Sequence, residues 1–205
     1  MQFRTLEIRP VHADFMDPIA LPGVSNHEAR RAAYFPGSTI GNLSPGEAKE
    51  FLRWLAALCG RGGALLIGVD LKKDPAVLER AYDDAAGVTA AFNLNLLVRL
   101  NRELHANFQV DRFRHLACYN ATLGRVEMHL VSLARQTASI EDVAILFERD
   151  ETIHTENCYK FDLEDFRDLA GCAGLEVRQV WMDDRHFFSV QYLAVTGKNG
   201  GLRLP

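Results

Sequence analysis

The amino-acid sequence predicts an α/β fold, and three observations lead to that prediction. Residues 64–69 form a near-continuous apolar run of the kind that is buried on both faces of a parallel sheet. An apolar stretch at residues 31–35 and a helical pattern at residues 45–58 precede this run, so the order is strand, helix, strand. The same alternation returns at residues 163–195. We therefore expect a Rossmann-like sheet.

The N-terminal part of this pattern has clear boundaries. Residues 6–11 alternate apolar and polar side chains and predict a strand ahead of the one at residues 31–35. Ser44 is expected to cap the next helix, and Glu47, three residues later, completes a capping box. The glycine-rich residues 60–63 then end that helix.

The middle of the chain breaks the alternation. Its patterns predict helices at residues 75–84 and 86–104, a hairpin of strands at 115–120 and 125–131, and a further strand at 143–148. We expect an inserted α+β subdomain at residues 75–159, with a partial Rossmann-like core formed by residues 1–74 and 160–198. In the last part, a helix at 163–173 and strands at 176–181 and 187–195 are expected, the two strands pairing antiparallel at one edge of the sheet.

Composition limits the kinds of partner. The 205-residue chain has a net charge of −4 and no cluster of lysine or arginine, so neither nucleic acid nor an anionic membrane is expected as a partner. No apolar stretch reaches the roughly 18 residues that a membrane helix needs. The cysteines are scattered without a Cys-x-x-Cys pair, which suits free thiols and a cytoplasmic protein acting on a small molecule. The four cysteines are Cys59, Cys118, Cys158 and Cys172.

The loop at residues 34–43 is the first candidate for a binding site. An apolar run leads into two glycines, Gly37 and Gly41, and into the hydrogen-bonding side chains of Ser38, Thr39 and Asn42. In an open α/β sheet, ligands bind at the carboxyl ends of strands, where glycine lets the backbone approach them. A plain polar turn into the following helix explains the loop equally well.

The segment at residues 151–161 is the second candidate, because nearly every side chain in it can form hydrogen bonds. If the segment is extended, His154, Glu156 and Cys158 are expected on one face, where a carboxylate and a thiol could reach one ligand. A solvated loop is the alternative. The pair His154 and Glu156 also raises the question of a metal, but the other histidines are dispersed and no metal site is expected.

Five segments of the sequence together resemble the histidine Nα-methyltransferases of ergothioneine biosynthesis. The resemblance runs from about residue 5 to residue 195. The segments are ADF at 13–15, FPGSTIGN at 35–42, AYDDAAGVT at 81–89, NLLVRLNREL at 95–104 and IHTENCYKF at 153–161. The resemblance implies a class I methyltransferase sheet and trimethylation of the α-amino group of L-histidine to hercynine, with S-adenosyl-L-methionine as the methyl donor.

The same resemblance implies roles for individual residues. Asn42 and Tyr82 are similar to the residues that hold the α-amino and carboxylate ends of the amino acid, and Glu156 to the carboxylate that accepts the imidazole N–H. Met128 is similar to the apolar wall of the substrate pocket, and Cys158 stands where the motif usually has serine. A thiol is a poorer hydrogen-bonding group than a hydroxyl, which affects substrate affinity or choice.

The cofactor residues implied by the resemblance are fewer. Asp14 and Phe15 resemble the pair beside the adenine, and Gly37 resembles backbone that lines the cofactor cleft. The glycine-rich loop and the acidic ribose ligand that the fold normally carries after its first two strands have no counterpart in the sequence, so the N-terminal strands of the sheet are expected to be missing. Three explanations are open: a fragment of a longer enzyme, which we favour, completion by a partner chain, and a degenerate product.

Two other functions remain open from the sequence. The same chemistry could act on another aromatic amino acid, such as tryptophan. Alternatively, the chain could be a noncatalytic module that binds an amino acid without the cofactor.

Overall fold

The computed structural model describes residues 7–17, 19 and 30–196. The strands are β1 (Ala32–Phe35), β2 (Ala64–Asp70), β3 (Phe113–Asn120), β4 (Arg125–Ser132), β5 (Gln136–Ile140), β6 (Val143–Phe147), β7 (Thr152–Tyr159), β8 (Leu175–Met182) and β9 (Phe188–Val195). The helices are α1 (Pro45–Cys59), α2 (Pro75–Tyr82), α3 (Val88–Glu103) and α4 (Leu163–Cys172), with 3₁₀ helices at Thr39–Asn42 and Val110–Arg112. In these described parts of the chain, no helix combines the length and the apolar character needed to cross a membrane.

Four strands form a mixed sheet in the order β1-β2-β9-β8. Strand β2 pairs in parallel with β1 on one side and antiparallel with β9 on the other. The parallel pairing expected for β2 is therefore found on one side only. Strand β8 pairs antiparallel with β9 at the edge of the sheet, which confirms the predicted closing pair. The α/β class predicted from the sequence is therefore confirmed.

The predicted strand at residues 6–11 is wrong for residues 7–11, which have no regular secondary structure; residue 6 lies outside the described residues. Ile8 is 78% exposed, so the apolar side of the alternating pattern is not buried either. A strand requires backbone hydrogen bonds to a neighbouring strand, and no strand within the described ranges pairs with this segment. Alternation in the sequence alone cannot supply that neighbour.

Helices α1 and α4 pack together against the four-stranded sheet and bury its main core. Leu65, Ile67 and Val69 alternate along β2 and contact these helices, as expected when successive side chains of a strand point to opposite faces. The predicted capping box begins α1: the Ser44 N–H donates to Glu47 Oε2 at 2.8 Å, and the Glu47 N–H donates to Ser44 Oγ at 3.4 Å.

A second group of elements lies between β2 and α4 in the sequence. Strands β3, β4 and β7 form an antiparallel sheet, β5 and β6 form a separate hairpin, and α2 and α3 pack on β3 and β4. Strand β5 was not predicted, because its run Gln136–Ile140 is short and only weakly apolar. Strand β7 settles the alternatives for residues 151–161 in favour of an extended segment. The division of the chain into a core and an inserted subdomain at residues 75–159 stays a prediction.

The loop that follows β1 crosses over β2 at Gly68. A Cβ atom at Gly68 would lie 1.8 Å from the carbonyl oxygen of Pro36, so any larger residue would displace the loop. The Ser38 hydroxyl, two residues further on, accepts a hydrogen bond of 2.8 Å from the backbone N–H of Asp70. The loop is thereby fixed to the carboxyl end of β2.

Asp84 fixes the start of α3. Its carboxylate accepts hydrogen bonds from the backbone N–H groups of Thr89, at 2.8 Å, and Val88, at 3.1 Å. These N–H groups belong to the first turn of the helix, where no intrahelical acceptor exists. The bonds to Thr89 and Val88 lower the pKa of Asp84 to about 2.

The stabilisation by Asp84 is expected to depend on pH. Because its pKa is about 2 in the folded state and about 3.9 in an unfolded chain, the charged form stabilises the fold above the unfolded value and the effect is lost as the pH falls to about 2. The melting temperature of Asp84→Asn should therefore lie below that of the wild type at pH 6, and the difference should vanish near pH 2.

Asp83→Asn is the matched control, since among the described residues no group donates a hydrogen bond to the Asp83 carboxylate. Its melting temperature should follow that of the wild type throughout the titration. If the difference in melting temperature between Asp84→Asn and the wild type stays constant from pH 6 to pH 2, the Asp84 carboxylate does not stabilise the start of α3 through its charge.

Candidate functional site

The loop after β1 and the end of β7 meet at Gly41. A Cβ atom at Gly41 would lie 2.7 Å from the carbonyl oxygen of Tyr159 and 3.2 Å from Cys158 Sγ. Only glycine therefore lets the 3₁₀ helix Thr39–Asn42 approach β7 this closely. Asn42, the last residue of that helix, is exposed to solvent beside this contact. The two candidate segments of the sequence are thus brought together.

The face of β7 that carries Glu156 and Cys158 also carries Met128 of β4. Glu156 lies opposite Met128, and Cys158 lies opposite Val126 in the same antiparallel pair. Directly opposed residues in a sheet project to the same face. Three of the residues assigned by resemblance to the amino acid therefore lie on one face.

His154 does not share this face, so the prediction that it points with Glu156 and Cys158 is wrong. The register of β7 shifts by one residue, because His154 lies opposite His129 while Glu156 lies opposite Met128. The extra residue, Thr155, donates from its hydroxyl to the carbonyl oxygen of Met128 at 3.0 Å. Such a bulge reverses the facing of every residue beyond it. The ring of His154 instead stacks on that of His129, with ring centroids 4.6 Å apart.

A cavity of about 210 Å³ opens beside Glu156. Thr155 and Glu156 of β7 line one side, and Phe92, Leu96 and Arg99 of α3 line the other. The cavity therefore offers apolar surface, a carboxylate and a guanidinium within one small volume. Met128 and Cys158 are almost fully buried behind it and do not line it.

Lys160, which the sequence did not single out, connects the buried residues. Its ammonium donates to Asp70 Oδ2 at 2.7 Å, to the Tyr82 hydroxyl oxygen at 2.7 Å and to Cys158 Sγ at 3.2 Å. A lysine directly after a strand is a weak signal, because most lysines are exposed. The one feature of the sequence that could have pointed to Lys160 is its position directly after the polar residues of β7.

The charges in this network change the pKa values of its members. Burial and the neighbouring Cys158 raise the pKa of Tyr82 to about 12, and Lys160 opposes part of that rise. Burial disfavours the charged form of Lys160, but attraction to Cys158 and Tyr82 and the hydrogen bond to Asp70 outweigh it and raise the pKa of the lysine. At neutral pH the tyrosine is therefore a neutral hydroxyl and the lysine a cation.

Asp14, Phe15 and Gly37 form a second group, near the carboxyl end of β1. The Phe15 ring lies 5.8 Å from the rings of both Phe35 and Phe51, measured between centroids, and 39% of the residue stays exposed. The exposed Asp14 carboxylate accepts a hydrogen bond of 2.9 Å from the Met16 N–H. A Cβ at Gly37 would lie 3.6 Å from Thr39 Oγ1, so packing does not require glycine there.

Potential metal ligands meet at one place in the described chain. The ligand atoms of Cys118, Glu127 and His129 lie within 4.8 Å of one another. The Glu127 carboxylate is already bound by the Arg125 guanidinium at 2.8 Å, and that cation would oppose a metal ion. His154 and Glu156, the pair considered from the sequence, lie on opposite faces of the sheet.

Comparisons with known proteins agree on one family. A family model described as histidine-specific, SAM-dependent methyltransferase matches residues 1–195. The chain is 39% identical over 196 residues to the histidine N-alpha-methyltransferase of Mycobacterium tuberculosis, covering 94% of this chain and 60% of that protein. It is 42% identical over 184 residues to the histidine N-alpha-methyltransferase of Mycolicibacterium smegmatis, covering 89% and 56% respectively.

A more distant relative carries a different substrate in its name. The chain is 30% identical over 169 residues to the L-tryptophan methyltransferase trpM of Psilocybe serbica, covering 81% of this chain and 47% of that protein. The chain thus spans between about half and 60% of the length of these curated relatives.

The contact at Gly41 leads to a prediction about Cys158. In Gly41→Ala the added methyl group should push the 3₁₀ helix away from β7, lower the free energy of unfolding by about 1–3 kcal/mol and uncover the buried thiol. Labelling with a thiol reagent, followed by peptide mass spectrometry to separate the four cysteines, should show faster modification of Cys158.

Gly171→Ala is the control, because a Cβ at Gly171 in α4 meets no atom within 4 Å. It should leave both the stability and the labelling rate of Cys158 close to those of the wild type. Equal labelling of Cys158 in Gly41→Ala and in the wild type would show that the two segments do not depend on glycine for their contact.

Proposed function

Because the chain belongs to the family of histidine-specific, S-adenosylmethionine-dependent methyltransferases, we propose that it methylates the α-amino group of L-histidine. The product of complete transfer is the trimethylated betaine hercynine, on the route to ergothioneine. The single observation that carries the proposal is the convergence of three distant segments around Cys158 and Lys160. The segments are the 3₁₀ helix ending at Asn42, the end of α2 at Tyr82, and the face of β7 with Glu156 and Cys158.

Each residue of the site has a defined task in this proposal. Glu156 accepts the imidazole N–H of histidine, and its position at the cavity beside Phe92 and Leu96 supports this, since those side chains offer apolar surface to the ring. Met128, opposite Glu156, contributes the buried wall behind it. Asn42 and Tyr82 hold the α-amino and carboxylate groups.

Tyr82 acts as a hydrogen-bond donor and not as a base. Its pKa of about 12 means that the hydroxyl keeps its proton at neutral pH, so it can donate to the substrate carboxylate but cannot remove a proton from the amine. The protein's contribution to the reaction is therefore positioning: it holds the neutral amine about 3–3.5 Å from the carbon it attacks and keeps water away.

S-adenosyl-L-methionine, when bound, supplies an electrophilic methyl group on a sulfonium. Asp14, Phe15 and Gly37 fit the adenosine part of that molecule. The partly exposed ring of Phe15 can pack on the base, the exposed carboxylate of Asp14 can accept hydrogen bonds, and the absence of a side chain at Gly37 lets backbone approach the ligand.

The substrate histidine is favoured over tryptophan, but tryptophan is kept as a second candidate because a relative is named for it. A carboxylate at the cavity suits an imidazole with two ring nitrogens, while the apolar surface of Phe92 and Leu96 suits either ring. A module that binds the amino acid without the cofactor is the third possibility.

The proposal is tested by calorimetry and by product analysis. The full 205-residue chain should bind L-histidine and S-adenosyl-L-methionine, and mass spectrometry should detect histidine carrying one, two and three added methyl groups. Histidine binding without cofactor binding would identify an amino-acid-binding module. Binding of neither ligand, with no mass change on histidine, would refute the enzymatic function of this chain.

Glu156→Ala should weaken histidine binding selectively. Loss of a hydrogen bond to a charged group is worth about 1.5–3 kcal/mol, which corresponds to a roughly 10- to 150-fold higher Kd for histidine. Tryptophan binding should change less, because an imidazole can take up a second proton and pair with the carboxylate as a cation, whereas an indole stays neutral. Glu164→Ala, on the exposed first turn of α4, is the control and should leave both affinities unchanged. Equal losses for both amino acids would argue against a bond between Glu156 and imidazole.

Cys158→Ser should strengthen histidine binding. Because Cys158 is buried and does not line the cavity, its effect on histidine is indirect: a hydroxyl is a better hydrogen-bonding group than a thiol, is smaller, and fits beside Gly41 and Lys160 without a clash. The expected change is a several-fold lower Kd in calorimetry, about 0.5–1.5 kcal/mol for one hydrogen bond. An unchanged Kd would mean that Cys158 has no part in binding histidine.

A further inference from the structure

Lys160 has no task in the function proposed above, yet it is among the most deeply buried charged residues that the structure describes. Its side chain is 1% exposed, at the junction where β7 ends and the chain returns to the four-stranded sheet. A buried ammonium carries a large desolvation cost unless it is paired and hydrogen-bonded. Its position therefore calls for a role that surface lysines do not have.

The ammonium group uses all of its protons inside the protein. It has three N–H donors, and three acceptors lie within reach: Asp70 Oδ2 at 2.7 Å, the Tyr82 hydroxyl oxygen at 2.7 Å and Cys158 Sγ at 3.2 Å. No proton is left to donate to a ligand, and the side chain is not exposed to one. Lys160 can influence a bound molecule only through these neighbours.

The contact with Tyr82 determines which way the tyrosine proton points. Lysine has no acceptor, so the Tyr82 oxygen must accept from Lys160. The hydroxyl proton then has to point away from the ammonium, either toward Cys158 Sγ, which is also a hydrogen-bond partner of the Tyr82 side chain, or toward a ligand. The ammonium also lies 4.7 Å from the centre of the Tyr82 ring, so a second contact holds the same side chain in place. Tyr82 is thus oriented as a donor.

The charges around Tyr82 favour an anion. The Asp70 carboxylate is shared by two cations, because its Oδ1 accepts from Lys73 Nζ at 2.5 Å while Oδ2 accepts from Lys160. Two ammonium groups and one carboxylate leave this cluster with one positive charge in excess. A carboxylate that accepts the Tyr82 proton would gain from both the hydrogen bond and that charge.

We infer that Lys160 is a positioning residue that orients the Tyr82 hydroxyl as a donor to the carboxylate of the amino-acid substrate, and so makes the site selective for a free carboxylate. The inference rests on the proposed function, since it takes an amino acid as the ligand. It adds a residue that does not touch the substrate and acts only through Tyr82.

The test compares two ligands on the full chain by calorimetry: L-histidine, and L-histidine methyl ester, which lacks the carboxylate charge. In Lys160→Met the Kd for histidine should rise about tenfold, the size expected for a weakened hydrogen bond to a charged group. The Kd for the ester should stay the same. Lys72→Met is the matched control, because Lys72 pairs with Asp162 and Asp165 at the surface, and it should change neither Kd.

A double variant distinguishes action through Tyr82 from an independent effect. Tyr82→Phe removes the hydroxyl, so adding Lys160→Met to it should cause no further loss of histidine affinity. If the two losses multiply, Lys160 does not act through Tyr82 and the inference is overturned.

The melting temperature of each variant is measured to check that the variant folds. Lys160→Met leaves Asp70 with its Lys73 partner. If that variant does not fold, Asp70→Asn with Lys160→Met removes both charges of the Lys160 ion pair and leaves Lys73 with the carbonyl oxygen of Phe187 and the new side-chain amide at position 70 as hydrogen-bond partners. In either variant, a loss of affinity confined to histidine supports the inference. A loss shared equally by the ester, or no loss, overturns it while the proposed function stands. A wild-type chain that does not bind histidine refutes the proposed function, and the inference with it.

Discussion

The buried ion pair between Lys160 and Asp70 is the interaction on which the arrangement of the site depends. Asp70 ends β2 of the four-stranded sheet, and Lys160 follows β7 of the second sheet. Next to the pair, the Phe161 N–H donates to the Asp70 carbonyl oxygen and the Lys72 N–H donates to that of Phe161. Because the ammonium is buried, separating it from Asp70 would leave an uncompensated charge inside the protein. The ion pair therefore holds the two sheets in one relative position.

From that junction the network reaches the three segments that the proposed function assigns to the amino acid. Tyr82 belongs to α2 and Cys158 to β7. The loop after β1 is held by the hydrogen bond from the Asp70 N–H to the Ser38 hydroxyl, and the absence of a side chain at Gly41 and Gly68 lets it approach β7 and β2. The Tyr82 hydroxyl, the Cys158 thiol and the backbone near Gly41 are thereby held in place without a disulfide among the described residues. Such rigid positioning is what an in-line methyl transfer to an amine requires of a protein.

Much of the fold was predictable, because the signals were local. The capping box at Ser44 and Glu47, the glycine stop after α1 and the apolar run of β2 each act over a few residues, and each is found where the sequence placed it. The strand predicted at residues 6–11 failed because a strand needs a partner that its own residues do not encode. Strand β5 was overlooked because pairing with β6, and not its own composition, makes it a strand.

By itself, the sequence determined the α/β class and the helix boundaries, and family resemblance led to the residues proposed for histidine and the cofactor. Tertiary structure alone decided how those residues are presented. The bulge at Thr155 turns His154 away from Glu156, because one extra residue reverses the facing of a strand, and no alternation pattern can reveal it. The same is true of Lys160, since its partners Asp70 and Tyr82 are distant in the chain and only folding brings a carboxylate and a hydroxyl to its ammonium.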